Sequence, residues 1–303
     1  MKKAVSTGLI GLTALSIAGN FLISMPLSSD DGSDILGSGI AVILSFLAVI
    51  FLYPPLIKLF SKDIRRCSRP EKILLSAAYI LIEAALIYTA VITLTEFSEF
   101  VGSVMLPNVH ISVIFAVFAA AATLISRKEA ALSKTAVVLL FIAAALVVTI
   151  FLFSIPKMSF KYIVPTGFPD IFTSLKISLS VFLKSFAGAL LPIAVAGCSV
   201  KGIKGVLIGN AAGAGIVMLC MFNTLLVFGG GFASTLRYPY TSAVSTVAMG
   251  EIFSGMDGFL YVTVIFTCIV KTALIFHTTR MLANKLSEIK KLIKLRFTIE
   301  IPF

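Results

Sequence analysis

The sequence of 303 residues contains no tryptophan, only two histidines and few charges, since Asp, Glu, Lys and Arg make up 13% of it. Soluble domains carry about 25% charged residues, so this composition excludes an ordinary soluble globule. Hydrophobic residues account for 58% of the chain instead, and the mean hydropathy is +1.06. We therefore predict an all-α, polytopic membrane helix bundle.

Sequence motifs for catalysis and metal binding are also lacking. There is no HExxH or GxSxG segment, and His110 and His277 fall near opposite membrane surfaces in the topology derived below. The four cysteines share no ligand-like spacing, so they indicate neither a zinc site nor a disulfide framework. We predict that the chain is not an enzyme and has no cofactor and no metal site.

The net charge of +11 does not indicate nucleic acid as a partner. Lysine and arginine occur in short clusters between apolar stretches and form no continuous basic face. Clusters of this kind are typical of the cytoplasmic loops of membrane proteins. The lipid bilayer is therefore the predicted surroundings of the chain.

Long apolar stretches recur along the whole sequence. A bilayer core about 30 Å thick requires about 20 apolar residues per helix, and the chain contains about eight such stretches. They lie near residues 7–25, 37–60, 72–95, 109–126, 135–156, 174–199, 203–228 and 257–283. An alternative interpretation of the first stretch is a signal peptide, because Met1-Lys2-Lys3 precedes an apolar run.

The charges between the spans predict the orientation. Basic residues precede span one, separate spans two and three, follow spans four and six, and fill the C-terminal tail, residues 285–303. The intervening loops carry acidic residues, namely Asp30, Asp31, Asp34, Glu96 and Glu99. Both termini are then cytoplasmic. The tail is either an amphipathic helix on anionic lipid or a solvated end of the last span.

Two spans contain residues that interrupt helices. Gly19-Asn20 and then Pro26 occur in span one, and Gly188 is followed by Pro192 in span six. Broken helices at corresponding positions of two halves mark the substrate sites of transporters. The alternative is a kink or a packing contact, since Gly and Pro are common in membrane helices.

Span seven contains the segment GVLIGNAAGAG, in which Gly205, Gly209 and Gly213 recur every four residues and Gly215 follows. Small residues at this spacing allow helices to approach closely. No strand pattern precedes the segment and no Gly-Lys-Ser follows it, so it is not a phosphate-binding loop. We predict a helix-packing face.

Ionisable residues inside spans are costly and usually face the bundle interior. Glu83, Lys184 and Lys271 are such residues, and Thr263 and Thr267 share one helical face with Lys271. One hypothesis pairs Glu83 with Lys271 or Lys184, or makes Glu83 a proton-coupling group, with the threonines in a cation or substrate site. The alternative is a structural ion pair or a snorkelling lysine.

The polar segment from Tyr238 to Asp257 differs in composition from the other intervals between spans, because it begins with an aromatic-proline pair and is rich in small and hydroxyl-bearing residues. Its residues are Tyr238-Pro239, Val247-Ala248-Met249-Gly250, Glu251-Ile252-Phe253 and Met256-Asp257, and a helix with Lys271 in its middle follows. This order resembles the signature of the spore germination permeases, the B-type subunits of nutrient germinant receptors. That family belongs to the amino acid/polyamine/organocation transporter superfamily.

The chain departs from the family pattern at three points. Gly255 replaces an arginine, Ser245 stands where a basic residue is common, and the tryptophan of the second helix is absent. The family usually has ten spans, and spans nine and ten are missing from this sequence. The resemblance therefore implies a LeuT-like inverted-repeat fold lacking the last two helices.

The resemblance implies a small nutrient, in particular an amino acid, bound at the interruptions of helices one and six. The ligand-binding candidates are Gly19, Asn20, Tyr88, Phe186 and Gly188. The candidates for ion or proton coupling are Glu83, Thr263, Thr267 and Lys271. We also expect an external re-entrant or lid segment over residues 238–256, with a short helix near Ser242 to Phe253 and with Asp257 at the positive end of helix eight.

The function implied is nutrient sensing in the spore inner membrane or the cell membrane. The expected partners are an A-type membrane subunit and a C-type lipoprotein. A proton- or cation-coupled amino acid permease is the alternative function. A degenerate, non-binding structural subunit is the second alternative, because two spans and the arginine are missing.

Overall fold

A computed structural model describes residues 2–23, 25, 27, 33–61, 68–127, 129–162, 169–195, 202–246 and 256–299. This part of the chain consists of helices and connecting turns and contains no strand. The α-helices are α1 Lys2–Phe21, α2 Ser33–Phe51, α3 Tyr53–Ser61, α4 Arg69–Phe100, α5 Ile111–Ile125, α6 Glu129–Ser154, α7 Ile171–Val181, α8 Gly188–Val195, α9 Ile203–Phe228, α10 Gly230–Thr235, α11 Pro239–Ser245 and α12 Met256–Ile299. Two segments are π-helical, Val101–Met105 and Phe182–Ala187.

Six helical stretches of the described residues are long and apolar enough to cross a membrane. They are Ser33–Ser61, Pro70–Met105, Ala131–Lys157, Ile171–Ala194, Ile203–Phe228 and Asp257–Lys290. The predicted first and fourth spans correspond to shorter apolar helices, Thr7–Gly19 and Ile111–Ile125. The protein is thus a polytopic membrane helix bundle, and the count of eight spans stays a prediction.

Helix α1 is the centre of the bundle. From Gly11 to Gly19 every residue is buried, because α9, α6 and α12 pack against different sides of the helix. A helix that is apolar on all sides has no face for water and is stable only inside a larger bundle. The lipid-facing surface lies on other helices, where Leu74 and Phe141 are more than 70% exposed.

Glycines set how closely α1 approaches its neighbours. A methyl group added at Gly209 of α9 would lie 2.7 Å from the Ile10 carbonyl oxygen, and one added at Gly11 would lie 2.7 Å from the Ala136 carbonyl carbon of α6. Both separations are too short for real contacts, so only glycine fits. The predicted packing face of the seventh span is confirmed at Gly209 and Gly213, whereas Gly215 faces open space.

A second helix pair is built in the same way. A methyl group at Gly37 of α2 would lie 2.6 Å from the Ser174 carbonyl oxygen of α7, and the Ser33 hydroxyl accepts a hydrogen bond of 3.0 Å from the Asp170 amide. Asp170 in turn caps α7, accepting from the Thr173 amide at 3.1 Å. Residue numbers rise together along α2 and α7, as they do along α1 and α9, so both pairs are parallel.

Two acidic residues that are predicted to lie in a loop are inside a helix, so span three extends beyond its predicted end. Glu96 and Glu99 belong to α4, which continues to Phe100 and then as a π segment to Met105. In its last turn Phe97 packs edge-to-face against Phe118 at 4.4 Å, and Phe100 packs edge-to-face against Tyr238 at 5.2 Å. These aromatic contacts stabilise the last turn.

Asp34 is a third acidic residue that is predicted in a loop, and it lies in the first turn of α2. There its carboxylate is at the positive end of the helix dipole. Asp257, in the first turn of α12, has the position predicted for it. Residues 30 and 31 lie outside the described part of the chain.

We call the end of the bundle with Glu99 and Arg237 the upper end, and the end with Ser126 and Arg280 the lower end. Helix α12 runs from the upper end downward as one helix of 44 residues, which is about 66 Å long. It continues through the predicted tail as far as Ile299. At the lower end, Lys285 of α12 donates to the Phe60 carbonyl of α3.

The segment that begins at Tyr238 lies on the upper end. Arg237 pairs with Glu99 at 2.9 Å, and the Ser103 hydroxyl donates to the Tyr238 hydroxyl at 3.2 Å. Helix α11 begins at Pro239, three residues before the predicted start at Ser242, since proline is favoured in the first turn. Residues 247–255 lie outside the described part, so the remainder of the predicted lid helix is untested.

We expect the Arg237 to Glu99 ion pair to hold the α10 to α11 segment locally and to add little to global stability. Both side chains are well exposed, and exposed pairs contribute about 0.2–1 kcal/mol. In Glu99→Gln, hydrogen exchange of amides 230–246 should become faster, and the unfolding temperature should fall by no more than about 2 °C. A large fall in unfolding temperature with unchanged exchange would contradict this role.

Candidate functional site

The sixth span leaves α-helical geometry just before the predicted interruption, because the π segment ends at Ala187, whereas Gly188 and Pro192 themselves lie in the α-helix α8. The π segment Phe182–Ala187 joins α7 to α8, and Pro192 lies inside α8. Proline donates no hydrogen bond to the carbonyl four residues earlier and its ring crowds that carbonyl, which here belongs to Gly188. The π segment ends one residue before Gly188, and π segments are frequent at functional sites.

The side chain of Lys271 ends at this irregular stretch. Lys271 is fully buried in the middle of α12, and its Nζ donates to the Lys184 carbonyl at 3.3 Å. A methyl group at Gly188 would lie 3.5 Å from the same nitrogen. The ammonium group therefore touches backbone of the π segment and of the first residue of α8.

Helix α1 closes the site from the other side. A methyl group at Gly19 would lie 3.3 Å from the Thr267 carbonyl oxygen and 3.5 Å from Lys271 Cδ, and the Cys268 thiol donates to the Gly19 carbonyl at 3.4 Å. Helices α1 and α12 and the α7 to α8 segment thus meet here. We call Gly19, Lys184, Gly188, Thr267 and Lys271 the central cluster.

Helix α1 is not unwound at the predicted interruption. Gly19 and Asn20 are helical, and α1 ends at Phe21. Pro26 and the side chain of Asn20 lie outside the described residues. The first span therefore contributes to the central cluster through the close approach of Gly19 to α12. The sixth span contributes through the π-helical backbone of Phe182–Ala187.

The acid beside these lysines is Glu96, and the predicted partner Glu83 does not reach them. Glu96 Oε1 lies 3.9 Å from Lys184 Nζ, and the carboxylate interacts electrostatically with both Lys184 and Lys271. Glu83 is half-buried further down α4 and forms no ion pair within the described residues. The sequence offered one signal for Glu96: it shares a helical face with Thr89 and Thr93, provided that α4 extends beyond residue 95.

Two buried residues with hydroxyl groups are close along the chain to Glu96 and to Lys184. Thr93, one turn before Glu96, and Ser185, next to Lys184, are each completely buried. Neither hydroxyl has a hydrogen-bond partner in the part of the chain that the structure describes. A buried hydroxyl without a partner costs about 1–3 kcal/mol, so a further hydrogen bond to either group would be stabilising.

The remaining predicted residues divide between the interior and the surface. Thr263 and Thr267 are buried on the face of α12 that carries Lys271, as predicted, but their hydroxyls donate to carbonyls of their own helix, at 2.8 and 3.0 Å. Phe186 is fully buried within the π segment. Tyr88 is 68% exposed on the outside of α4, so the structure does not bring it to the central cluster.

The size of residue 188 should control the central cluster. A methyl group there makes ordinary contacts of 3.5 Å with Lys271 Nζ and Thr89 Cγ2, so Gly188→Ala should keep the wild-type unfolding temperature and ligand response. The two further methyl groups of Gly188→Val must displace the ammonium group or Thr89. We expect ligand affinity to fall about tenfold or more, since overpacking costs about 1–3 kcal/mol.

Titration calorimetry of both Gly188 variants and the wild type measures this difference. Equal affinity in Gly188→Val and wild type would contradict the contact between residue 188 and the lysine.

A further buried polar group lies beneath α11. The Tyr240 hydroxyl is next to the Cys220 thiol and the Asn223 amide, and all three side chains are buried. Neither the hydroxyl nor the amide group makes a hydrogen bond of good geometry within the described residues. The sequence gives no signal for this group, because Tyr240 is distant along the chain from Cys220 and Asn223, and both of these lie in the apolar helix α9.

Comparison of the chain with family models, with curated proteins and with solved structures finds no match.

Proposed function

We propose that this membrane protein is a receptor subunit that binds a small carboxylate-bearing nutrient, in particular an amino acid, at the central cluster. The observation that carries the proposal is the complete burial of Lys271 against the irregular sixth span. A cation buried inside a span destabilises the protein, and such residues typically mark ligand or ion sites. A ligand carboxylate would give the ammonium group a charge-assisted hydrogen bond in place of lost water.

The backbone around Lys271 suits such a ligand. Irregular helix geometry within a membrane is tolerated where it is buried in protein or lines a polar cavity. The π segment supplies the Lys184 carbonyl and the Ser185 hydroxyl, and α4 supplies Thr93. The Lys271 ammonium group would bind the carboxylate of an amino acid, and the hydroxyl oxygens would accept hydrogen bonds from its amino group.

Two helix pairs support the proposed LeuT-like inverted repeat. Helix α9 follows the sixth span and packs along α1 through Gly209, while α2 follows the first span and packs along α7 through Gly37. Each pair joins the first helix of one half to the second helix of the other, and both pairs are parallel. Two halves related by a pseudo-twofold axis require this exchange.

Sensing requires that the nutrient bind one conformation better than another. The π segment between α7 and α8 offers such a difference, because its hydrogen bonding can change when the ammonium group turns from the Lys184 carbonyl to a ligand. The change would pass along α7 to α2, which packs against it. This path does not require net transport.

The resemblance of the Tyr238 to Lys271 block extends the proposal to spore germination. In that setting the protein is a B-type subunit of a germinant receptor in the spore inner membrane, with both termini cytoplasmic and with an A-type membrane subunit and a C-type lipoprotein as partners. Co-purification of the tagged protein from spores tests the assembly. Recovery without either partner would contradict it.

A proton- or cation-coupled amino acid permease is the second candidate, favoured by the proximity of Glu96 to Lys184 and Lys271. Ionisable groups placed together inside spans are typical of proton relays. Uptake of labelled amino acid into proteoliposomes separates the two functions. Concentrative uptake driven by a pH gradient would contradict the purely sensory role.

The binding proposal itself is tested by thermal unfolding of the purified protein with a panel of amino acids and other small nutrients. At least one nutrient should raise the unfolding temperature in a concentration-dependent way, because a ligand that binds only the folded state stabilises it. If every nutrient leaves the temperature unchanged, the chain is a structural subunit without a ligand.

A further inference from the structure

A cleft of about 580 Å³ opens at the lower end, between the end of α5 and helix α12. Its lining consists of Thr123, Ser126, Arg127, Phe276 and Arg280. The bond between His277 Nδ1 and the Ser126 carbonyl oxygen, 3.0 Å long, ties the end of α5 to α12 beside the cleft. On α12 the lining begins at Phe276, more than one helical turn below Lys271, so the cleft lies outside the central cluster.

Among the residues that the structure describes, the cleft carries two positive charges and no negative one. Arg127 and Arg280 are both exposed, and no acidic side chain is among the lining residues. Neither guanidinium group forms an ion pair or a hydrogen bond within the described part of the chain. Arg280 lies toward the lower end of the stretch Asp257–Lys290, which is apolar enough to cross a membrane. Since about 20 residues cross the bilayer core, a span that begins at Asp257 brings Arg280 to the level of the lipid head groups.

The other polar groups of the cleft do not compete for an anion. The Thr123 hydroxyl donates to the Ala119 carbonyl at 2.7 Å, and the Ser126 hydroxyl donates to the Thr123 carbonyl at 2.8 Å. Of the lining side chains, the two guanidinium groups are therefore the donors without a partner among the described residues. Their planar arrays of N–H groups suit phosphate oxygens, which they bind in pairs.

Apolar surface continues from the cleft toward the lipid. Phe276 forms part of the lining, and Leu124 on the last turn of α5 is 63% exposed. An anion with a hydrocarbon chain can therefore contact the arginines and the apolar surface together, whereas a free anion can contact only the arginines. Basic pockets between membrane helices are a known binding mode for anionic head groups.

We propose that this cleft binds the phosphate of an anionic phospholipid head group. Arg127 and Arg280 donate hydrogen bonds to the phosphate, and Phe276 packs against the acyl chain. The upper end provides the contrast. Arg237 lines a cleft of about 610 Å³ there, but it is neutralised by Glu99 at 2.9 Å. An arginine that already has a carboxylate partner should not retain lipid.

Native mass spectrometry of the purified protein with phosphatidylglycerol or phosphatidylcholine tests the proposal. Wild type should retain phosphatidylglycerol, and the double variant Arg127→Gln/Arg280→Gln should retain about tenfold less or lower still, since two charge-assisted contacts are lost. Arg237→Gln, the matched control, should retain as much as wild type. Phosphatidylcholine should be retained weakly by all three.

Equal retention of phosphatidylglycerol by the double variant and wild type would overturn the proposal. Displacement of the lipid by inorganic phosphate at millimolar concentration would overturn the proposal that the bound phosphate group belongs to a lipid. If the double variant does not fold, Arg280→Lys replaces it. That variant keeps the charge but loses paired donation, so it should retain less phosphatidylglycerol than wild type while still preferring it to phosphatidylcholine; retention equal to wild type would contradict the role of paired donation.

Discussion

Lys271→Met should abolish the response to the nutrient while the bundle remains folded. Removing one partner of a buried charged contact costs about 2–5 kcal/mol, so ligand affinity should fall by about 100-fold or more. The unfolding temperature without ligand should stay equal or rise, because methionine fills a similar volume and needs no solvation. Calorimetric titration and thermal unfolding of the same preparation measure both effects.

Lys184→Met is the matched control for this variant. Lys184 is 44% exposed and pairs with Glu96 at 3.9 Å, and its contact with Lys271 is made by its backbone carbonyl. Its side chain can therefore be removed without changing that contact, and we expect an affinity change of less than about fivefold. If both variants lose affinity equally, the site responds to overall positive charge and the role given to Lys271 is wrong.

Gly209→Val should prevent formation of the native bundle. Even the first added carbon would lie 2.7 Å from the Ile10 carbonyl oxygen and 2.7 Å from Thr13 Cβ, both of which belong to the central helix α1. Neither atom is the end of a flexible side chain, so α1 and α9 must separate. Separation breaks the contact along most of the length of both helices, and we expect a loss of stability larger than the about 1–3 kcal/mol of ordinary overpacking.

Gly215→Val on the same helix is the control, because a carbon added there meets no atom within 4 Å. It carries the same valine propensity in a helix but no clash. Its yield after size-exclusion chromatography and its unfolding temperature should match wild type, whereas Gly209→Val should aggregate or unfold at least about 5 °C lower. Equal behaviour of the two variants would mean that α1 and α9 are not in close contact.

Much of this architecture could be predicted from local patterns. The helices follow from apolar stretches that match the thickness of a bilayer, and the α9 packing face follows from glycines spaced four residues apart. The inward stripe of Thr263, Thr267 and Lys271 follows from the period of the helix, and all three are completely buried. These features depend only on residues close to one another along the chain.

The contacts of the central cluster depend on distant residues and were harder to predict. Glu96 was assigned to a loop because a carboxylate ends an apolar stretch, whereas Phe97 and Phe100 extend α4 through contacts with α5 and the Tyr238 segment. Its approach to Lys184 arises from packing between α4 and the π segment. No pattern within either segment specifies that approach, so the sequence favoured Glu83, which is nearer the middle of its span.

The two predicted interruptions illustrate the same distinction. In the sixth span the irregular backbone is a π segment that directly precedes Gly188, the first residue of the helix that contains Pro192. Gly19 looked equivalent in sequence, but α1 stays helical there because its close contact is with Thr267 and Lys271 of α12. A glycine that permits approach and a glycine that permits irregular backbone cannot be distinguished until the neighbour is known.

The central claim, that a nutrient at Lys271 moves the interrupted sixth span, is tested most directly by distance measurements between pairs of spin labels. Labels at the exposed positions Phe172 of α7 and Val113 of α5, with the native cysteines replaced, report the movement. Labels at Phe141 of α6 and Ile208 of α9 report helices that should stay fixed. A nutrient that raises the unfolding temperature should shift the first distance distribution in wild type and leave it unchanged in Lys271→Met, with the second constant in both. A shift that persists in Lys271→Met, or binding without any shift in wild type, would contradict the claim.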